Sequence, residues 1–212
     1  MPKINYLKSI FLIAVAFMTS ASLPAQSVSV RASFGVVDLP LSDWSKFFGE
    51  LSNSFYVKNN PNVFYALSFH YPINSNHSIN VGTELIKTTA LLSDPPLIVD
   101  WKFQGIPITL GYEYRILTFN ERFTPVVGAG ISYFFSEVSA KDHFFNQTLT
   151  RTGNGYGIHA SLGLISQLTT TLSLISQGRY RYSDGMAFSG SKNDTKVQFS
   201  GFDISMGLAW DF

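Results

Sequence analysis

The chain has 212 residues, 45% of them hydrophobic and 15% aromatic but 14% charged, with sixteen glycines, no cysteine and a formal charge of +1. That is too apolar for a disordered chain and offers no basic field for nucleic acid; the lack of cysteine excludes disulfides, thiol nucleophiles, thiolate metal sites and a lipidated N-terminal cysteine. Charge falls well below the roughly 25% of ordinary globular domains, yet no apolar run reaches the ~20 residues of a spanning helix, so the many rings need another place to sit.

Lys3 and Lys8 precede an apolar run over residues 10–18, followed by small residues and then Leu23, Pro24, Ala25 and Gln26. A basic start, a short apolar stretch and a small residue before a polar one predict a secretory signal peptide over residues 1–25, cleaved after Ala25, with Ala21 the less favoured site. A membrane anchor is the competing reading, but the run is too short and Pro24 closes it. Removing Lys3 and Lys8 leaves 13 basic against 14 acidic residues, a mature charge of about −1.

Residues 26–212 then alternate with period two, the mark of strands with one apolar and one polar or small face. Val28, Val30, Ala32, Phe34 and Val36 oppose Ser29, Arg31, Ser33 and Gly35. Val63, Tyr65, Leu67, Phe69 and Tyr71 oppose Phe64, Ala66, Ser68 and His70, and Ile79, Val81, Thr83 and Leu85 oppose Asn80, Gly82 and Glu84. Ile106, Ile108, Leu110, Tyr112 and Tyr114 oppose Gly105, Pro107, Thr109, Gly111, Glu113 and Arg115. Val127, Ala129, Ile131, Tyr133 and Phe135 oppose Gly128, Gly130, Ser132 and Phe134, and Tyr156, Ile158, Ala160, Leu162 and Leu164 oppose Gly155, Gly157, His159, Ser161 and Gly163. A less clean seventh strand sets Leu172, Leu174 and Tyr180 against Gln177, Arg179 and Arg181, and the last sets Phe202, Ile204, Met206, Leu208, Trp210 and Phe212 against Asp203, Ser205, Gly207, Ala209 and Asp211.

The expected fold is all-β, an eight-stranded antiparallel transmembrane β-barrel of up-and-down meander topology. A soluble sandwich also alternates, but its outer faces meet water and favour Lys, Glu and Thr. Here the second face holds Gly, Ser and Ala with isolated charges, which suits a narrow interior behind a wall whose large residues face lipid. The predicted connections agree. Those at 72–77, 117–122 and 166–169 are short, while those at 38–61, 91–100, 137–154 and 183–196 are longer, as in barrels with short periplasmic turns, long outer loops and periplasmic termini. Tyr71, Tyr112, Tyr114, Trp210 and Phe212 fall near one end of the apolar face. Tyr65, Tyr133, Phe135, Tyr156, Tyr180 and Phe202 fall near the other, giving two aromatic belts; Trp101 and Phe103 fit neither phase cleanly. Ten strands follow if part of 38–61 pairs at the rim.

The closing SMGLAWDF, with Ser205, Gly207, Trp210 and terminal Phe212, resembles the C-terminal signal read by the barrel assembly machinery, which implies that machinery as a partner. The segments IPITLGYEYR at 106–115 and TPVVGAGISYFF at 124–135 resemble strands of the OmpX-like, porin-family outer membrane protein β-barrel domain group, including its Bacteroidetes members. The resemblance covers nearly all of the mature chain and implies a monomer in the lipid and lipopolysaccharide of a Gram-negative outer membrane. It transfers no catalytic residue, because that group is defined by architecture.

The lumenal phase collects Arg31, His70, Glu84, Glu113, Arg115, Gln177, Arg179, Arg181 and Asp203. Of these, Arg31, Glu84, Glu113, Arg179, Arg181 and Asp203 form the expected charge network. Opposite charges confined in an interior just wide enough for side chains pair, because an isolated charge is heavily penalised. The expected function is therefore a small integral barrel with a filled lumen and a structural or surface-interaction role, without catalysis or cofactor. Two alternatives remain: a narrow channel or carrier of small apolar molecules, like the OmpW group, and a lipid A deacylase. For the latter, His159 and Ser161 share a face as in PagL-type deacylases, where His takes the proton of the Ser hydroxyl. However, Leu162 stands where that family has Asn, and the phase puts both residues inside, away from a lipid substrate.

Trp44, Phe47, Phe48 and Leu51, after Ser42 and Asp43 as N-caps, predict a short amphipathic helix in the first long loop, suited to a membrane surface, the barrel mouth or a partner. His70, His77, His143 and His159 are too scattered to suggest a metal site, and the Asn76, Asn146 and Asn193 sequons are chance matches in a bacterial protein. No glycine-rich phosphate loop follows a strand and opens a helix.

Overall fold

In the computed structural model, the described residues are 28–38, 56–59, 62–94, 97–116, 122–142, 147–188, 196–197 and 200–212. The expected signal peptide and the helix predicted over 42–51 lie outside them. Eight long strands form the wall: β1 (Ser29–Asp38), β3 (Asn62–Pro72), β4 (His77–Asp94), β5 (Leu97–Arg115), β6 (Phe123–Asp142), β7 (Gln147–Gln167), β8 (Leu172–Phe188) and β10 (Gly201–Asp211). Each pairs antiparallel with its neighbour, and β10 pairs with both β8 and β1, so the sheet closes without an edge. The short strands β2 (Tyr56–Asn59) and β9 (Lys196–Val197) do not widen the wall. They continue β3 along β4 and β10 along β8 with the pairing register displaced by one residue, so the barrel is eight-stranded rather than ten-stranded.

Following paired residues around the wall, from Asp38 through Phe202, Tyr180, Ala160, Ala129, Tyr112 and Ile79 to Tyr71, returns to β1 beside Val28, ten residues lower. This stagger tilts the strands and sets the diameter. The turn end is built from local hydrogen bonds. Asn74 Oδ1 accepts from the backbone N–H groups of Asn76 and His77, at 2.9 and 3.0 Å, and Thr169 Oγ1 accepts from those of Thr171 and Leu172. The C-terminal seam is tied there too, as the Phe212 N–H donates to the Val28 carbonyl at 3.0 Å.

At the opposite, hairpin end the structure corrects two of the expected long loops. Residues 91–100 and 137–154 are mostly strand: Leu91 pairs with Asp100 and Asp94 with Leu97, while Glu137 pairs with Thr152 and Asp142 with Gln147. These hairpins project beyond the apolar wall. The clean hydrophobic alternation stops short of these hairpins although backbone pairing continues, so periodicity understates the strand length.

The apolar phase faces outward throughout. Tyr65, Ile131, Tyr156, Leu162, Ile204 and Trp210 are all exposed, Tyr156 at 72%. The rings cluster at both ends of this wall. Near the turn end the His77 ring lies 5.0 Å from that of Tyr114 and its Nδ1 hydrogen-bonds the Tyr112 hydroxyl; toward the hairpin end the Tyr133 ring lies 5.0 Å from that of Tyr156 and 4.9 Å from that of Phe135. The inward face is kept slim where large side chains cross it. A Cβ on Gly157 would stand 2.7 Å from the Phe134 ring, and one on Gly35 would stand 2.2 Å from the Ile204 carbonyl oxygen.

Candidate functional site in the barrel lumen

All six predicted network residues point inward, and the tilt gathers them into two clusters at different levels rather than one continuous column. Toward the hairpin end, Glu84 on β4 faces Arg179 and Arg181 on β8 across the lumen. It pairs with Arg179 and accepts from Arg181 at 3.0 Å. Asp203 on the neighbouring β10 accepts from Arg179 Nε at 3.1 Å and from Arg181 Nη2 at 2.5 Å. Two carboxylates and two guanidiniums thus cancel in charge while sharing hydrogen bonds, the condition under which buried ions are tolerated. Phe64 from β3 lies against both cations, its ring centre 5.5 Å from the Arg179 guanidinium carbon and 5.6 Å from that of Arg181. Such a contact adds cation–π attraction to the packing.

Nearer the turn end, Arg31 on β1 crosses the lumen to Glu113 on β5 in a fork-to-fork pair, with hydrogen bonds of 2.6 and 2.8 Å. His70 Nδ1 lies 3.9 Å and Arg115 Nε 3.8 Å from the same carboxylate. Both clusters therefore bridge opposite walls, β4 to β8 and β1 to β5.

Between them lies a chamber of about 70 Å³, room for roughly two waters on the ~30 Å³ each occupies in the liquid. Its polar lining includes Ser33, Ser68, Asn80, His159, Ser161 and Gln177, with Arg31 and Glu113 at one end and Glu84 and Arg179 at the other. His159 and Ser161 thus face this chamber rather than the lipid side of the wall. Among the described residues, no group of three or more His, Asp or Glu side chains could hold a metal ion.

Sequence reasoning missed the apolar layer beyond the upper cluster. Val37, Phe64, Ile86, Phe103, Phe134 and Val138 are all buried inside the barrel toward the hairpin end. The phase of Phe64 and Phe134 already carried that signal, since they alternate with the outward-facing Tyr65 and Tyr133. Phe103 resolves as inward by continuing the register of Gly105 and Pro107. This layer fills the lumen between the upper cluster and the projecting hairpins.

The β4–β5 ladder is interrupted beside the upper cluster. Pro107 lies in the middle of β5 and has no N–H to donate. The β4–β5 ladder skips from Thr83 opposite Ile108 to Ile86 opposite Gly105, and the Pro107 carbonyl accepts instead from the Thr83 hydroxyl at 3.1 Å.

A closed barrel with a lipid-facing apolar wall and a charged lumen agrees with the comparisons. The outer membrane protein beta-barrel domain profile matches residues 10–212. The chain belongs to that family. It is an integral β-barrel of the outer membrane of a Gram-negative envelope, the coarse form of the resemblance noted in the sequence. Among solved structures it is similar to the outer membrane protein OprG from Pseudomonas aeruginosa, at 13% identity over 89% of this chain and 96% of that one, with a TM-score of 0.61. It is also similar to a major outer membrane protein from Thermus thermophilus, at 14% identity over 89% and 100% of the two chains, with a TM-score of 0.57. Neisserial surface protein A follows at 17% identity, 88% and 96% coverage and a TM-score of 0.51. At such identities the likeness concerns the fold alone. Among curated proteins, none matches this chain.

Proposed function

We propose that this protein is a non-catalytic, monomeric structural or surface-interaction barrel whose filled lumen gives solutes no passage across the membrane. The observation that carries this reading is the pair of cross-barrel ion clusters, backed by the buried apolar layer at the hairpin end. Val28, Phe212 and the short turns lie at one rim and face the periplasm in this reading, so the projecting β4–β5 and β6–β7 hairpins present the outer surface. Ser205, Gly207, Trp210 and Phe212 serve as the strand signal for the barrel assembly machinery, lipid and lipopolysaccharide surround the wall, and the chain groups with the OmpX-like, Bacteroidetes-type members of its family. Purified protein in planar bilayers is expected to give no stable single-channel conductance at neutral pH; reproducible open events would overturn the closed-lumen reading.

One observation favours a second reading, the carrier of small apolar molecules: the interrupted ladder at Pro107 is a place where strands β4 and β5 could part. The charged and hydroxyl-rich lumen behind it argues the other way, because an apolar solute would have to displace paired ions. Crosslinking β4 to β5 across this break separates the two, since it abolishes uptake by a lateral carrier and leaves a structural barrel unaffected. The deacylase reading rests on His159 and Ser161, and its test is fatty-acid release from lipid A compared with a Ser161→Ala variant.

A further inference from the structure

Four buried side-chain polar atoms have no hydrogen-bond partner among the described residues: Arg31 Nε, His70 Nδ1, Ser78 Oγ and Arg115 Nε. They do not scatter over the barrel. They fall on the successive strands β1, β3, β4 and β5, around the carboxylate of Glu113. Arg31 holds that carboxylate with its two Nη atoms, His70 and Arg115 flank it, and Ser78 is the cross-strand partner of Glu113. Arg31, His70 and Ser78 are each more than nine-tenths buried, so leaving these groups unpaired would cost each of them a desolvation penalty.

We infer that this end of the lumen is a binding site for a small anion, a halide or a short carboxylate, held by Arg31, His70, Ser78 and Arg115. The chemistry of the unpaired atoms selects the class. The two guanidinium Nε–H groups can only donate, and the Ser78 hydroxyl has a proton free to donate. His70 Nε2 lies 3.0 Å from the Ser68 hydroxyl; when that hydroxyl donates, the imidazole proton sits on Nδ1 and adds another donor. Charge points the same way. Two guanidiniums face a single buried carboxylate, Glu113, and the remaining acid near Arg115 is Asp211, a less buried residue at the rim. The upper cluster, by contrast, balances two against two and leaves no such atoms.

Size and access set the rest. Arg31 and His70 also line the chamber, while Ser78 and Arg115 lie outside its lining, and an eight-stranded interior just wide enough for side chains leaves room among them for a small ligand alone. Arg115 is the most exposed of the four and marks the entrance from the turn end, so the site draws on the periplasm; this last point rests on the orientation proposed above.

The test uses the full chain in neutral detergent at constant ionic strength, with chloride as the probe. Excess line width of the chloride-35 resonance reports binding, formate serves as competitor, and gluconate as an anion too large to enter. Chloride is expected to bind and to be displaced by formate but not by gluconate. Arg115→Met should weaken binding about tenfold, the loss of one charge-assisted donor, and Ser78→Ala should weaken it less, while Lys87→Met leaves it unchanged. A chloride signal that is absent, equally displaced by gluconate, or unaltered in both Arg115→Met and Ser78→Ala overturns the inference and leaves a hydrated cluster in its place. Conductance is read separately, so an open pore refutes the closed lumen without deciding this question.

Discussion

Removing two opposite charges from the upper cluster together should cost less than the sum of removing each alone. In Glu84→Gln, Arg179 and Arg181 lose one of the two carboxylates they share and keep Asp203, leaving an excess of positive charge where Glu84 was 5% exposed. Breaking a buried pair from one side typically costs about 3–5 kcal/mol, roughly two to three and a half orders of magnitude in the folding equilibrium. Arg179→Gln alone should cost a similar amount, because Glu84 and Asp203 then share Arg181. The double variant Glu84→Gln/Arg179→Gln restores neutrality and keeps the Arg181–Asp203 pair, so it should recover about 2–3 kcal/mol of the summed penalties. Urea titration of protein refolded into lipid vesicles, followed by tryptophan fluorescence and by the heat-dependent gel shift, measures all three. A Glu84→Gln variant within about 0.5 kcal/mol of wild type, or a double variant whose cost equals the sum, would refute the view that these four side chains act as one neutral unit.

Gly157→Ala should destabilise the barrel by about 1–3 kcal/mol in the same titration, since the new Cβ meets the Phe134 ring at 2.7 Å and the Tyr182 carbonyl at 2.9 Å. Ile131 lies midway along the outward face at 59% exposure, and Ile131→Arg should cost about 2–4 kcal/mol in a bilayer; an unchanged midpoint there would mean the residue does not meet lipid. Deleting Phe212 should lower the outer-membrane fraction in cells while leaving refolding in vitro intact, which separates a signal for assembly from a contribution to stability. Mass spectrometry of the mature protein should find Gln26 as its first residue.

The composition and the period-two pattern were enough to specify the wall. Period two is a local property of the backbone, so Tyr65, Ile131 and Trp210 could be placed on the outer face, and Arg31, Glu84 and Asp203 on the inner one, by counting along the chain. Closure followed from that lipid-facing wall, since an open sheet edge has no partner for its backbone groups in hydrocarbon. Strand length was less legible. In the β4–β5 and β6–β7 hairpins the clean alternation that announces a strand is lost while the backbone pairing continues.

Which inward residues meet is a property of the barrel alone. Counting gives each side chain its face but not its height, and height depends on the ten-residue stagger accumulated around the closed sheet. That stagger brings Glu84 level with Arg179 and Arg181, almost a hundred residues later, and Arg31 level with Glu113. It also separates the two groups by a polar chamber and stacks Phe64, Ile86 and Phe134 beyond the upper one. The sequence by itself determined an outer-membrane wall with charges inside it. The tertiary structure decided how those charges pair, where the lumen closes, and which donors at its turn end remain to be satisfied, because pairing in a low-dielectric interior depends on distances that only strand tilt and register establish.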